Sequence, residues 1–166
     1  MLFRSNQHTG DRISEIGMGS AYLYEAKTEE AVQALRTAYD GGINYFDLAA
    51  GHGKSFSLWG EALGDVRKNV FYQIHFGAAY SKGKYYWSLD LDAVKDSVAW
   101  MLQQLKTDFI DYGFIHCQDE ASDWETYRKH GISYKPHQED LFAFAACRGS
   151  ITRQKGRKLF SEHCPN

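Results

Sequence analysis

The segment Thr28–Asp47, TEEAVQALRTAYDGGINYFD, contains the signals of a helix, a stop and a strand in succession. Thr28 is a typical N-cap residue, and the acidic residues behind it suit the first turn of a helix. Small and apolar residues follow at helical spacing and predict a buried stripe, namely Ala31, Ala34, Leu35 and Ala38. The pair Gly41-Gly42 ends the helix, and Ile43–Asp47 is rich in β-forming residues. The segment therefore predicts one helix–strand unit of an α/β fold.

Strand-like stretches continue this pattern on both sides, at Ile16–Gly19, Val70–His75 and Phe109–Ile115. The first three strands of the series begin about 27 residues apart, which suits a barrel of repeated βα units. A complete (β/α)8 TIM barrel takes ~250 residues. A chain of 166 residues with four such units predicts an α/β fold of half that size, a partial TIM barrel of about (β/α)4.

Helices are predicted between these strands. One runs through Leu58 and ends at Gly64, and another starts at the N-cap residue Asp90. The second has an apolar stripe at helical spacing, which consists of Leu91, Val94, Val98, Met101, Leu102 and Leu105. Alternating strands and helices predict right-handed βαβ units, with a parallel sheet and the helices outside it.

The two ends of the chain differ from this repeat. Leu2–Arg4 and Arg12–Ser14 flank a turn-rich stretch and predict an N-terminal β-hairpin that closes the bottom of the barrel. A weak fourth helix is predicted over Glu120–His130. We therefore expect a half-barrel over residues 1–132 and an irregular tail of unassigned structure over residues 133–166. The sequence leaves open whether that tail is a natural early stop, a gene fragment or a frame shift.

Composition argues against several classes of protein. No apolar run approaches the ~18 residues of a membrane helix, and the first residues lack the pattern of a signal peptide. The three cysteines are too far apart for a CxxC metal site. The loop Gly77–Ser88 is aromatic, but Lys82 and Lys84 supply too little positive charge for nucleic-acid stacking. We expect a cytoplasmic protein with no membrane or nucleic-acid partner.

Four ionisable residues fall where the strands of a barrel end. Asp47 closes the second strand, His52 lies in the loop behind it, and His75 and His116 close the third and fourth strands. Functional groups of a parallel barrel lie at these ends, so we predict that the four converge on one rim. Asp47 and His75 should reach hydrogen-bonding distance. A single histidine at a strand end is usually a satisfied polar residue, and the prediction depends on all four together.

Several motifs resemble those of the aldo/keto reductase family. Residues 41–49, GGINYFDLA, are similar to the family's G-x-N-x-F-D-T-A, and Gly60-Glu61-Ala62-Leu63 to its L-G-x-A-L. Residues 14–20, SEIGMGS, resemble the opening S-x-L-G-L-G-T, and residues 108–116 resemble the D-Y-I-D…L-H strand. The resemblance covers about residues 1–132. It is strongest to a branch with a C-terminal iron–sulfur segment, whose cysteine cluster is absent from this sequence.

The resemblance implies a TIM barrel that binds NADP(H) and transfers hydride to a small carbonyl substrate. The family's catalytic tetrad is Asp, Tyr, Lys and His. Asp47 matches the Asp and His116 the His, whereas His52 stands in place of the Tyr and His75 in place of the Lys. Gly19, Ser20 and Asp47 match the positions that approach the nicotinamide ribose. The phosphate-binding loops of the family follow later strands that are not recognisable here, so we expect this chain alone to bind the dinucleotide weakly and to be inactive or weakly active.

The two histidines that replace the tetrad tyrosine and lysine are compatible with the reaction. An imidazole titrates near neutrality, so His52 can donate a proton in place of a tyrosine. Asp47 beside His75 favours the protonated imidazole, which can supply the positive charge of the missing lysine.

Two other readings stay open. Three histidines and an aspartate have the ligand types of a hydrolytic zinc site, although no H-x-H or H-E-x-x-H spacing is present. A half-barrel can also be a non-catalytic fragment that self-associates through its exposed sheet edges.

Overall fold

The computed structural model describes residues 2–88 and 90–115. It contains eight strands, which are β1 Phe3–Ser5, β2 Arg12–Ser14, β3 Met18–Gly19, β4 Tyr45–Asp47, β5 Phe71–Phe76, β6 Ala78–Ser81, β7 Lys84–Trp87 and β8 Tyr112–Ile115. The α-helices are α1 Thr28–Asp40, α2 Lys54–Leu63 and α3 Leu91–Leu105, and 3-10 turns cover Leu23–Glu25 and Gly64–Asn69. The predicted helix Glu120–His130, the tail over residues 133–166 and the boundary between them and the half-barrel lie outside the described residues.

Strands β3, β4, β5 and β8 form one parallel sheet in that order. Each strand pairs with the next one along the chain, and one of the helices α1 to α3 lies in every connection. Consecutive helices contact one another, α1 with α2 and α2 with α3. Sequential parallel pairing with all helices on one side is the arrangement of a barrel wall. The predicted partial TIM barrel is confirmed, including the parallel pairing of the third and fourth predicted strands.

The alternation of side chains gives this sheet two different faces. Phe46, Tyr72 and Ile74 are fully buried against the helices, where the Trp59 ring of α2 packs edge-on against Phe46 at 4.9 Å between centroids. Residues one position away point to the opposite, inner face of the sheet. That inner face carries aromatic and polar side chains, namely Tyr45, Asp47, Phe71, Gln73, His75, Tyr112 and Phe114.

A buried ion pair joins the fourth strand of the sheet to the third. Arg67 Nη2 donates to Asp111 Oδ2 at 2.7 Å, and both side chains are almost fully buried. The guanidinium lies between the rings of Tyr72 and Phe109, with its carbon 4.2 and 4.0 Å from their centroids. The same Oδ2 accepts the backbone N–H of Tyr72 at 2.9 Å. This contact sets the register in which β8 joins β5.

The predicted N-terminal hairpin is confirmed, with Phe3 opposite Ser14. Its position follows from Asn44, the residue before β4, whose Oδ1 accepts the N–H of Ser14 at 2.8 Å and whose Nδ2 donates to the carbonyl of Arg12 at 2.9 Å. The hairpin turn also reaches the start of β8, because the hydroxyl of Tyr112 donates to Asp11 at 2.7 Å. The hairpin thus lies at the amino ends of the barrel strands, as expected.

Three local expectations were wrong. Thr28 is the first residue of α1 rather than its cap, since the N-cap is Lys27 and no side chain caps that end. Ala34 is exposed, because α1 buries a narrower stripe centred on Ala31 and Leu35. The aromatic loop Gly77–Ser88 contains the antiparallel hairpin β6–β7. By contrast, the Asp90 cap is confirmed, since its Oδ1 accepts the N–H of Ala93 at 2.8 Å.

Gly60 marks the closest approach of two helices. A Cβ built on Gly60 would lie 2.2 Å from the carbonyl oxygen of Gln104 and 3.1 Å from Cα of Leu105, both backbone atoms of α3. Gly64, at the end of the same helix, has right-handed φ of −60° and open space around its Cβ position. Helix packing therefore requires a glycine at position 60, whereas position 64 can accept a larger side chain.

We predict that Gly60→Ala lowers the free energy of unfolding by about 1–3 kcal/mol, because α2 and α3 must separate to admit the methyl group. The matched control Gly64→Ala should raise it by about 0.4–1 kcal/mol through the lower entropy of the unfolded chain. Urea unfolding followed by circular dichroism measures both values. Equal effects of the two substitutions would contradict the close helix contact.

Candidate active site

An aspartate and a histidine meet on the inner face at the carboxyl ends of two neighbouring strands. In the β4–β5 register Asp47 lies opposite Gln73, so His75 is the next inward-facing residue beyond that pair. His75 Nε2 lies 2.9 Å from Asp47 Oδ1. The carboxylate is 40% exposed and the imidazole 18% exposed, so the pair is reachable from the rim. The contact predicted between Asp47 and His75 is confirmed.

Two further side chains of the inner face extend this pair into a network. Gln73 Nε2 lies 3.1 Å from His75 Nε2, and the Tyr45 hydroxyl donates to Gln73 Oε1. Because His75 Nε2 carries at most one hydrogen, it either donates to Asp47 or accepts from the Gln73 amide, and when it donates to the carboxylate the Gln73 contact is not a hydrogen bond. Sequence reasoning missed Gln73 and Tyr45. The alternation of side chains along a strand could have predicted both residues, because it places Tyr45 on the same face as Asp47 and Gln73 on the same face as His75.

The backbone around Asp47 holds the carboxylate in place. Its Oδ1 accepts the N–H of Ala49 at 3.2 Å, and its carbonyl accepts the Ser20 hydroxyl at 3.2 Å. Ser20 is buried, and this bond ties the end of β3 to the end of β4. Gly19 pairs with Asp47 in the sheet, and among residues 2–88 and 90–115 no atom lies within 4 Å of its Cβ position. The open space beside the carboxylate therefore lies over Gly19.

His52 follows β4 at the same end of the sheet but contacts a different set of residues. Its Nδ1 accepts the backbone N–H of Lys54 at 3.1 Å, and its ring lies 5.5 Å from the ring of Tyr24. It also forms a β-bridge with Lys84 at the start of β7. Because Nδ1 accepts a hydrogen bond, the neutral ring carries its hydrogen on Nε2. The structure thus pairs Asp47 with His75 and holds His52 separately, against the β6–β7 hairpin.

Three phenols of the described residues, those of Tyr24, Tyr45 and Tyr80, have a raised pKa. Burial raises the pKa of Tyr45 to about 12, and burial also raises the pKa of Tyr80 to about 12. A hydrogen bond with Glu25 raises the pKa of Tyr24. A general acid for neutral pH needs the opposite shift.

The remaining expectations for the site concern His116 and a metal. His116 lies outside the described residues, one position beyond the end of β8. Within residues 2–88 and 90–115, no three His, Cys, Asp or Glu side chains are close enough together to hold a metal ion. The helices of that same part of the chain are all too short or too polar to cross a membrane.

Comparisons with known proteins agree with the fold and the motifs. The sequence profile of the Aldo/keto reductase family matches residues 15–146. Over 108 residues the chain is 32% identical to the uncharacterized oxidoreductase YqkF of Bacillus subtilis (strain 168), an alignment that covers 63% of this chain and 35% of that protein. Over 124 residues it is 27% identical to the L-galactose dehydrogenase of Arabidopsis thaliana, an alignment that covers 70% of this chain and 37% of the dehydrogenase.

Solved structures show the same fold. The holo form of aldo-keto reductase AKR11C1 from Bacillus halodurans superposes with a TM-score of 0.62 and 23% identity, covering 80% of this chain and 48% of that one. An aldo/keto reductase from Klebsiella pneumoniae, solved in complex with NADP and acetate, superposes with a TM-score of 0.50 and 22% sequence identity. That superposition covers 64% of this chain and 36% of the reductase. The chain belongs to the aldo/keto reductase family. It spans 35% and 37% of the length of the two curated relatives.

The raised pKa of Tyr45 predicts a loss of stability in alkali. From its ordinary value of 10.0 upward, the unfolded state releases the phenolic proton, while the folded state retains it until about pH 12. The free energy of unfolding should therefore fall as the pH rises above 10. Tyr45→Phe should reduce this slope, whereas Tyr22→Phe, at a largely exposed side chain, should leave it unchanged. Urea titrations at several alkaline pH values test this, and equal slopes for wild type and Tyr45→Phe would contradict it.

Proposed function

We propose that this chain carries the reductase centre of its family, with the Asp47–His75 pair in place of the usual Asp–Lys pair. The reaction is reduction of a small-molecule carbonyl by NAD(P)H to the alcohol, with NAD(P)⁺ as the other product. The observation that carries the proposal is the 2.9 Å contact between Asp47 Oδ1 and His75 Nε2 at the carboxyl ends of adjacent barrel strands. The family's chemistry needs a positive charge held by a carboxylate at this place.

The chain's own residues divide the work as follows. Asp47 orients His75, so that the imidazolium form of the ring, when present, stabilises negative charge as it develops on the substrate oxygen. His52 donates a hydrogen bond to the substrate oxygen from the Nε2–H that its bond to Lys54 leaves available, and the alkoxide formed by hydride transfer takes its proton from water. When bound, the dinucleotide supplies the hydride.

The residues described fit one end of that cofactor. The open space over Gly19, next to Asp47, suits the nicotinamide ribose, while the buried hydroxyl of Ser20 positions the strand end instead. Two of the named relatives support this cofactor and substrate class. One was solved with NADP, and another is named a dehydrogenase of L-galactose, a sugar with a carbonyl group. We expect slow turnover by this chain alone, because the phosphate-binding loops were not recognisable in its sequence. A cytoplasmic location is part of the same proposal.

The alternatives stay weaker proposals. The zinc hydrolase reading needs a ligand set that the described residues do not assemble. Self-association of a half-barrel is supported by Phe114, whose ring on the inner face is 53% exposed.

We predict that Asp47→Asn and His75→Gln each lower the rate of NADPH-dependent carbonyl reduction by about 100-fold or more, because each removes one partner of the carboxylate–imidazole contact. His8→Gln, at an exposed histidine in the N-terminal hairpin, is the matched control and should leave the rate unchanged. The rate is measured as alcohol formed from a panel of aldehydes and ketones at high enzyme concentration. Wild-type rates in all three variants would contradict the proposal.

We further predict that the double substitution His52→Tyr with His75→Lys restores the family's tetrad chemistry and maintains or raises carbonyl reduction. Tyrosine and lysine would then occupy the two positions at which the resemblance expects them. The same assay measures this outcome, with His8→Gln again as the control. Loss of the activity in the double variant would mean that the rim no longer has the ancestral geometry.

A further inference from the structure

The hairpin β6–β7 reaches across to the loop that carries His52. The N–H of Gly53 donates to the carbonyl of Gly83 at 2.7 Å, and His52 forms an antiparallel bridge with Lys84. A Cβ on Gly53 would lie 3.1 Å from Cα of Gly83, so the two backbones are in direct contact. The tip of the hairpin is thus part of the wall around His52, although about thirty residues separate them in the sequence.

Gly83 meets the imidazole itself. A Cβ built on Gly83 would lie 2.7 Å from Cε1 and 3.1 Å from Nε2 of His52. The ring of Tyr24 is a second neighbour, 5.5 Å away between centroids, and the Nδ1 edge is held by the N–H of Lys54. The imidazole is therefore restrained by a neighbouring ring, a backbone donor and a glycine that leaves just enough room for it.

The core anchors the hairpin that presents Gly83. Tyr80 of β6 is buried, and its hydroxyl donates to the carbonyl of Ala50 at 2.7 Å, in the same loop that carries His52. Its ring packs on Phe56 of α2 at 4.9 Å and stacks on Trp100 of α3 at 5.8 Å between centroids. Hairpin and loop are consequently held together by a buried side chain as well as by the contact at the tip.

We propose that the β6–β7 hairpin is a positioning element for His52 and that Gly83 is its contact point. The inference rests on the proposed function, in which the Nε2–H of His52 donates a hydrogen bond to the substrate oxygen. Gly83 acts through His52 alone, by fixing the direction in which Nε2 points. Its left-handed backbone, with φ of +78°, is the second reason for glycine at the turn.

The test uses Gly83→Ala in the full chain, with Gly10→Ala as its matched control. Gly10 has φ of +75° in the N-terminal hairpin, and no atom of the described part of the chain lies within 4 Å of its Cβ position. Both substitutions place alanine in the left-handed region at similar φ, but only the one at position 83 touches a side chain of the site. Gly83→Asn is a second variant, because asparagine tolerates this backbone region better and introduces the same Cβ.

The first readout is the pair of imidazole nitrogen signals of His52 in a long-range ¹H–¹⁵N spectrum, assigned with His52→Gln. We expect the wild type to show the Nε2–H form and Gly83→Ala or Gly83→Asn to shift both signals, as the bond from Lys54 to Nδ1 is lost. Gly10→Ala should leave them unchanged. Unshifted His52 signals in both folded Gly83 variants would overturn the inference.

The second readout is carbonyl reduction. We expect kcat to fall about tenfold or more in the Gly83 variants with KM little changed, because misplacing a catalytic group affects the chemical step. Wild-type kcat in both folded Gly83 variants, with shifted His52 signals, would overturn the positioning role. A wild-type chain without any reductase activity, whose His52 signals still respond to Gly83→Ala, would contradict the proposed function and leave the structural contact established.

Discussion

The buried pair of Arg67 and Asp111 determines where the fourth barrel strand lies, and the surroundings of His75 on the inner face depend on that placement. Asp111 accepts from the guanidinium and from the N–H of Tyr72, and its own N–H donates to the carbonyl of Tyr72 at 3.2 Å. The next residue, Tyr112, therefore pairs with Gln73, and Phe114 pairs with His75. Removing one partner of such a buried pair costs about 3–5 kcal/mol, since the other charge stays buried. A slip of β8 by one residue would turn Phe114 away from the inner face on which it pairs with His75.

The residues that carry the family resemblance have physical roles in this chain. Asn44 fixes the N-terminal hairpin to β4 through both atoms of its amide. Gly60 allows the close approach of α2 and α3. Asp47 is the motif residue that faces the open rim, where its carboxylate is 40% exposed. Asn44 and Gly60 of the family motifs thus stabilise the barrel wall, whereas Asp47 is the motif residue exposed at the rim where the reaction is proposed.

The sequence predicted the sheet and the Asp47–His75 contact because both follow from periodicity. Alternating strands and helices determine the parallel order, and a period of two along β4 and β5 places the pair on one face.

Local features such as helix caps and short hairpins were harder to predict. Asp90 caps α3 as expected, but Thr28 does not cap α1. The N-cap and the first helical residue are adjacent in the sequence, and only the folded contacts determine which of the two positions Thr28 occupies. The β6–β7 hairpin was missed although Lys82-Gly83 between two strand-like runs is a two-residue turn signal, which the length of the aromatic stretch obscured. Contacts of His52 with that hairpin could not be predicted without it.

Direct observation of hydride transfer tests the central claim, that this rim performs carbonyl reduction without the family's tyrosine and lysine. The chain is incubated with NADPH deuterated at C4 of the nicotinamide and with an aldehyde panel, and the alcohols are analysed by mass spectrometry. We expect alcohol with one deuterium on the former carbonyl carbon, formed by the wild-type chain above the background without protein. Alcohol without deuterium, or no alcohol above that background at enzyme concentrations that permit a single turnover, would contradict it.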